Sequence, residues 1–306
     1  MANITTEVQF PAALVEGMFS AVQGHSTLAR LSGGKPIPFA GATEMVFSMN
    51  GEADIVGEAA QKSPGDAAVT PVTVKPIKFV YQHRITDEFI RMSDEARLPY
   101  LQAFAEGFSK KIARGLDIAA FHGINPKSGA ASTVVGNNHM DHDVSTTVTY
   151  TSGNSVADEV LDAAIQAVLA ADGEVTGIAL SPIFGGYMAN LRASGGVRLY
   201  PEFAFGGRPE TFAGKGIDIN GTVNKKITSA TSRDLAIVGD FENAFRWGYA
   251  GDIPLEVIEY GDPDGQGDLK RQNQVVLRSE AYIGWAVLNG GSFARIVDTV
   301  TAGQTE

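Results

Sequence analysis

Apolar residues recur every three or four positions between residues 93 and 122, which is the spacing of one face of an α-helix. Ser93-Asp94-Glu95 supplies a helix start with acidic groups at the positive end of the helix dipole, and Gly123 can end the helix. The apolar stripe consists of Leu98, Leu101, Ala105, Phe108, Ile112, Leu116 and Ala119. The pattern predicts a single helix roughly 40 Å long, more than twice the average length in globular proteins.

Alternation of apolar and polar residues predicts two strands that flank a glycine-rich, acidic segment. The first strand covers residues 43–49, and the second runs without interruption from Val72 to Ile85. The segment between them, 51–66, has no helical stripe. Two strands joined in this way form an extended hairpin that cannot bury both of its faces. We therefore expect the hairpin to project from the body and to pair with another surface.

The rest of the chain mixes short helices and strands without a regular βαβ order. Helices are predicted at 11–23, at 156–171 and from Pro182, and strands at 234–241, at 255–260 and along 275–287. Alternate residues of the last strand, from Val275 to Val287, form an apolar face. This mixture predicts the α+β class.

Composition narrows the class of protein. The chain has 306 residues, no cysteine and a formal net charge of −11. Disulfides and thiolate metal sites are therefore excluded, and the charge argues against a protein that reads nucleic-acid sequence. An acidic protein can still enclose DNA, because charge repulsion keeps the DNA from adhering to its wall. No apolar run is long enough to span a bilayer, and the first residues lack the pattern of a signal peptide.

Two segments have the composition of metal sites. His139-Met140-Asp141-His142-Asp143 contains two histidines three residues apart, but no third group of ligands is visible, so a solvated turn is the preferred interpretation. Residues 262–268 partly match a calcium loop, although Gln266 and Asn273 stand where acidic ligands belong. A hairpin tip between two strands is the preferred interpretation there.

Catalytic motifs are missing from the sequence. It contains no phosphate-binding glycine loop, no nucleophile elbow and no Ser, His and Asp set at a familiar spacing. We therefore expect a protein that is not an enzyme and that binds no cofactor and no metal.

Four segments, in order along the chain, resemble the major capsid proteins of tailed bacteriophages, which have the Hong Kong 97-type fold. ADIVGEAAQKSP (53–64) resembles the tip of the family's hairpin, and HRITDEFIRMSDEA (83–96) resembles the entry to its long helix. IARGLDIAAFHGI, with Asp117 and Gly123, resembles the end of that helix. LRSEAYIGWAVLNGGSFARI (277–296) resembles the last strand.

The resemblance implies an α+β Hong Kong 97-like fold with four parts. These are an N-terminal arm (1–34), an extended loop or hairpin (35–80), a peripheral domain (81–129 and 254–306, with the spine helix at 93–122) and an axial domain (130–253). It also implies hexamers and pentamers that assemble in the host bacterial cytoplasm into an icosahedral shell, which encloses double-stranded DNA in the virion. The implied partners are a portal, decoration proteins and, because the chain starts directly at the arm, a separate scaffolding protein; no membrane is involved.

Within this interpretation, eight residues are expected to contact neighbouring subunits: Phe10, Leu14, Met18 and Phe19 in the arm, and Ile55, Val56, Glu58 and Lys62 in the hairpin. Certain relatives form a cross-link between a hairpin lysine and an asparagine, for which Lys35, Lys62, Asn273 and Glu280 are available, but we leave it out of the predicted site. Two alternatives remain, an encapsulin-type shell that encloses enzymes and a soluble hydrolase or ligand-binding protein.

Overall fold

The computed structural model describes residues 25–50, 52–224, 232–251 and 255–299. The α-helices that lie wholly within these residues are α1 (Thr27–Leu31), α2 (Glu88–Arg91), α3 (Asp94–His122), α4 (Met140–Asp143), α5 (Ala157–Leu169) and α6 (Pro182–Asn190). The strands are β1 (Ala42–Asn50), β2 (Asp66–Val74), β3 (Pro76–Thr86), β4 (Thr147–Tyr150), β5 (Gly177–Leu180), β6 (Thr211–Phe212), β7 (Lys215–Ile219), β8 (Ser232–Gly239), β9 (Phe245–Tyr249), β10 (Leu255–Ile258), β11 (Gln274–Val287) and β12 (Phe293–Thr299). None of these helices combines the length and the apolar character needed to cross a membrane.

The long helix predicted for residues 93–122 is present as α3. Ser93 is its N-cap residue, and Gly123 ends it in the left-handed conformation with φ 66°, which glycine adopts without a steric penalty. Ala105 and the later residues of the predicted stripe are buried, whereas Leu98 near the start of the helix is exposed. α3 therefore packs against the body along its C-terminal part and presents its first turns to solvent.

The hairpin differs from its prediction in one respect. The long strand expected from Val72 to Ile85 is divided at Lys75 into β2, which pairs with β1, and β3, which pairs with β11. Pro76 has no N–H to donate, which favours a break in the ladder at this point. A Cβ on Gly284 would lie 3.0 Å from the Lys75 carbonyl oxygen, so glycine permits the close crossing. The hairpin of β1 and β2 is thus a separate two-stranded sheet.

β11 is the central strand of the sheet that packs against α3. It runs antiparallel to β3 along one edge and to β10 and β9 along the other. The apolar face predicted for this strand is buried, including Leu277, Ile283 and Trp285, which join the residues of α3 in one hydrophobic core. Burial of this face against α3 fixes the helix to the sheet.

The second large sheet has six strands in the order β4-β12-β8-β5-β7-β6. It is mixed, because β12 and β4 are parallel whereas β12 and β8 are antiparallel. α5 and α6 share a hydrophobic core with this sheet, in which Leu161, Phe184 and Met188 are buried. The segregation of helices and mixed sheets confirms the α+β class.

The acidic loop at 262–268 folds around a side chain of the protein itself. It lies between β10 and β11, as predicted for a hairpin tip. The Nε of Arg84 donates to Asp264 Oδ2 at 2.8 Å, and its Nη2 donates to the Gly267 carbonyl at 2.8 Å. The hydrogen bond from Arg84 lowers the pKa of Asp264 to about 2. The guanidinium supplies the positive charge of this loop, which favours the hairpin over the calcium alternative.

Candidate subunit-contact surfaces

One face of the hairpin is apolar and exposed. Cross-strand register pairs Met45 with Pro71, Phe47 with Val69 and Met49 with Ala67. Because alternate residues of a strand share a face, these six residues lie together on one side of the two-stranded sheet. Met45 is 67%, Phe47 57%, Met49 76% and Val69 56% exposed. Such a contiguous apolar surface is typical of a protein interface.

The hairpin tip holds the contact residues that were predicted from the sequence. Ile55 is 98% exposed, and Val56, Glu58 and Lys62 are exposed as well. Their positions leave these side chains accessible to another molecule, and their contact role stays a prediction.

The predicted arm contacts Phe10, Leu14, Met18 and Phe19 lie outside the described residues. The end of the predicted arm, residues 25–34, is described, and it is fixed to α3 by the buried carboxylate of Asp117. Asp117 accepts hydrogen bonds from Ser26 Oγ at 2.5 Å and from the backbone N–H of Thr27 at 3.0 Å. It also accepts from Thr222 Oγ1 at 2.9 Å.

Burial raises the pKa of Asp117 to about 6 although these hydrogen bonds act in the opposite direction. The N-terminus of α1 points toward this carboxylate, so the backbone N–H groups that have no partner within the helix are satisfied. Asp218 holds the same short helix from a second side, because it accepts from Thr27 Oγ1 at 2.6 Å and lies 3.1 Å from Arg30 Nη1. Residues 26–30, at the end of the predicted arm, are therefore joined to both α3 and β7.

A groove of about 420 Å³ lies between β3 and α3. Its lining is mainly aromatic or apolar and includes Tyr81, Tyr100, Phe104 and Phe108, with His83 beside them. His83 Nε2 lies 2.7 Å from the Tyr100 hydroxyl oxygen, and burial lowers the pKa of His83. The groove is apolar enough to accept the side chains of another polypeptide.

Glu280, considered above for a cross-link, already has a partner within the chain. Its Oε2 lies 2.6 Å from Lys78 Nζ on the neighbouring strand β3. The hydrogen bond that Lys78 donates to Glu280 raises the pKa of Lys78. In this arrangement Glu280 and Lys78 form an ion pair between two strands of one sheet.

The solvated turn predicted for residues 139–143 is wrong for its first half. Met140 is fully buried, and the Asp141 side chain lies beside His122, at the end of α3. The ring of His139 packs against Gly123, whereas His142 is half-exposed. Packing between this segment and the end of α3 outweighs the polar composition that suggested a turn.

Sequence reasoning also missed the apolar hairpin face, although a signal for it was present. Met45, Phe47 and Met49 alternate in the sequence, and so do Ala67, Val69 and Pro71. Reading both strands in antiparallel register places these two sets on one face. The groove between β3 and α3 had no comparable signal, because it depends on how the helix crosses the sheet.

The sequence model of the phage capsid family matches residues 8–298, nearly the whole chain. The chain belongs to the phage capsid family. This capsid protein is similar to a solved structure from Mycobacterium phage Ogopogo, with 33% identity, a TM-score of 0.77 and coverage of 90% of this chain and 92% of that chain. A structure from Gordonia phage Cozz has 27% identity, a TM-score of 0.73 and coverage of 90% and 87%.

A more distant likeness shows the fold alone. The capsid of a native GTA particle has 12% identity to the capsid protein, a TM-score of 0.63 and coverage of 98% of this chain and 94% of that chain. No curated protein matches the sequence. Together with the helices and sheets described above, the structural matches confirm the Hong Kong 97-like fold.

The family and its structures define the general role of the molecule. It is a major capsid protein, a structural protein that assembles into a shell and is located in the virion. The matches favour neither the encapsulin-type shell nor the soluble hydrolase or ligand-binding protein.

Proposed function

We propose that copies of this capsid protein form hexamers and pentamers, which close into an icosahedral head around double-stranded DNA. The observation that carries the proposal is the apolar face of the hairpin, which the described residues of the chain leave uncovered. A two-stranded sheet with one apolar face is marginally stable alone and gains stability when a neighbour covers that face. The net charge of −11 fits a wall that encloses DNA without adhering to it.

The four-part organisation also belongs to this proposal. Residues 1–34 act as the arm and residues 35–80 as the extended loop. Residues 81–129 and 254–306 form the peripheral domain, and residues 130–253 form the axial domain. The separate sheet of β1 and β2 supports an independent loop. The contacts that fix α1 to α3 and β7 support a separate arm in residues 1–34.

In the proposed shell the hairpin lies across a neighbouring copy, with Phe47 near the centre of the contact. Ile55, Val56, Glu58 and Lys62 at the tip then reach further along the same neighbour. The arm adds a second contact through Phe10, Leu14, Met18 and Phe19. Several modest contacts per subunit, closed by symmetry, give a stable assembly.

In this proposal the protein assembles in the host bacterial cytoplasm, and its partners are a separate scaffolding protein, a portal and decoration proteins. Its support is membership of the phage capsid family. The DNA is held without sequence-specific contacts, in keeping with the acidic composition.

Two substitutions on one strand test the hairpin contact. Phe47→Glu places a charge on the apolar face, and Ser48→Glu places the same charge on the opposite face of β1. Both positions are exposed, so the fold should tolerate either change. Particle formation, measured by negative-stain microscopy and sedimentation, should be lost only in Phe47→Glu, because a charge cannot be buried without a partner. Normal particles from Phe47→Glu would contradict the proposed contact.

A further inference from the structure

Four charged or ionisable side chains meet where the end of α3 contacts the six-stranded sheet. They are His122 at the end of α3, Asp141 in α4, Asp234 in β8 and Arg295 in β12. The side chains of His122 and Asp234 have no exposed surface, and those of Asp141 and Arg295 have very little. Buried polar side chains of this kind normally have hydrogen-bond or ion-pair partners.

Arg295 uses one oxygen of each carboxylate. Its Nη2 lies 2.6 Å from Asp234 Oδ1 and 2.8 Å from Asp141 Oδ1. Its Nε also donates to Asp234 Oδ1 at 3.0 Å. The remaining oxygen of each carboxylate, Oδ2, faces the His122 ring instead. One guanidinium charge therefore balances only one of the two carboxylate charges.

The hydrogen bond of His122 Nε2 shows which ring nitrogen carries a proton, and it leaves Nδ1 to face the carboxylates. His122 Nε2 lies 2.9 Å from the Thr222 carbonyl oxygen, and a carbonyl can only accept, so Nε2 carries a proton. Nδ1 then faces Asp141 Oδ2 at 3.1 Å and Asp234 Oδ2 at 3.7 Å. Two buried carboxylate oxygens that face one ring nitrogen need a hydrogen-bond donor or a cation between them.

A second proton on Nδ1 would satisfy only part of this requirement. It could be donated to Asp141 Oδ2, but Asp234 Oδ2 accepts no hydrogen bond and is fully buried. A cation bound to all three atoms would satisfy both carboxylates and the ring.

We propose that His122 Nδ1, Asp141 Oδ2 and Asp234 Oδ2 bind a divalent transition-metal ion of the zinc class. The three groups offer ligand atoms within 4.8 Å of one another. Ligand atoms around tetrahedral zinc are about 3.4 Å apart, since zinc bonds to nitrogen and oxygen are about 2.0–2.1 Å long. The two separations from Nδ1, 3.1 and 3.7 Å, lie on either side of this value.

The surroundings have further features of a metal site. A histidine that binds a metal usually donates its other ring N–H to a carbonyl or carboxylate, as His122 does to Thr222. Arg295 in turn holds both carboxylates in place. The ion would join the end of α3 to α4 and β8, and so fix the long helix to the six-stranded sheet.

Cobalt titration of the full chain tests the proposal, because Co²⁺ replaces Zn²⁺ and absorbs visible light in sites of low coordination number. The purified protein is treated with a chelator, dialysed and titrated with Co²⁺, and bound metal is then counted by mass spectrometry. We expect one ion per chain, visible absorption bands and displacement by Zn²⁺. Failure to bind one ion per chain, or binding without these bands, overturns the proposal without any variant being needed.

Two histidine substitutions locate the ion. In His122→Gln the amide nitrogen can still donate to the Thr222 carbonyl, but the Nδ1 ligand is lost. We expect at least about 100-fold weaker Co²⁺ binding, since the loss of outer partners alone weakens metal sites by about 10–100-fold. His142→Gln, at a half-exposed histidine outside the cluster, is the control and should bind as the wild type does. Equal binding by wild type and His122→Gln, or loss of binding in His142→Gln alone, would overturn the assignment.

Discussion

Replacing the buried Asp117 by asparagine should flatten the pH dependence of folding. Asp117 accepts hydrogen bonds from Ser26 and Thr222 and from the backbone of Thr27 and Leu28. Burial nevertheless raises its pKa from 3.8 to about 6. The folded chain therefore binds this proton more tightly than the unfolded chain does, and stability depends on it.

The size of the effect follows from the two pKa values. The difference between 3.8 and about 6 corresponds to about 3 kcal/mol of unfolding free energy, since one pKa unit is worth ~1.4 kcal/mol. Because the folded pKa is the higher one, this stabilisation is fully present below pH 3.8 and is lost as the pH rises through 6. The asparagine side chain in Asp117→Asn would not titrate, although its NH₂ group cannot accept from Thr27, which lowers stability by about 1–3 kcal/mol.

Urea unfolding of the dissociated full chain at several pH values measures the prediction. The unfolding free energy of the wild type minus that of Asp117→Asn should fall by about 3 kcal/mol from low pH to neutral pH. Other titrating groups cancel in this difference. Asp162→Asn, which removes an exposed carboxyl from α5, controls for the loss of one charge. Parallel curves for wild type and Asp117→Asn would refute the reasoning, because they would show that the carboxyl does not titrate in this range.

Two further predictions concern α3 and the acidic loop. Gly107→Ala should raise the unfolding free energy by up to about 1 kcal/mol, because it favours the helix and an added Cβ has no atom within 4 Å. Gly115→Ala should gain less or lose stability, since its Cβ would meet the Phe79 ring at 3.2 Å; equal gains in urea unfolding would contradict this. Arg84→Gln should raise the pKa of Asp264 from about 2 toward its ordinary value, as measured by NMR titration. An unchanged value would show that Arg84 is not the cause.

Local patterns were enough to predict the long helix and the hairpin. The stripe that includes Phe108 and Ile112 is periodic over many turns, and Gly123 marks its end by a conformation that favours glycine. The break at Lys75 was missed because both strands alternate with the same period. What separates them is a change of partner, from β1 to β11, which depends on a residue as distant as Gly284.

The His122 cluster shows what a sequence cannot supply. Its members, His122, Asp141, Asp234 and Arg295, come from four elements spread over more than half of the chain, and no spacing rule connects them. The composition of residues 139–143 indicated a metal, but only Asp141 of that segment belongs to the cluster. The other ligands become visible only when the end of α3 is packed against β8.

The position of residues 274–299 has a consequence for synthesis on the ribosome. β11 pairs with β3, and β12 pairs with β4, and neither β3 nor β4 pairs with another strand in the part of the chain described above. In a nascent polypeptide, β3 and β4 therefore stay without these strand partners until residues 274–299 emerge from the ribosome. Completion of the two large sheets is coupled to that late step, so a chain that ends before residue 274 has the hairpin but lacks the finished body that carries it.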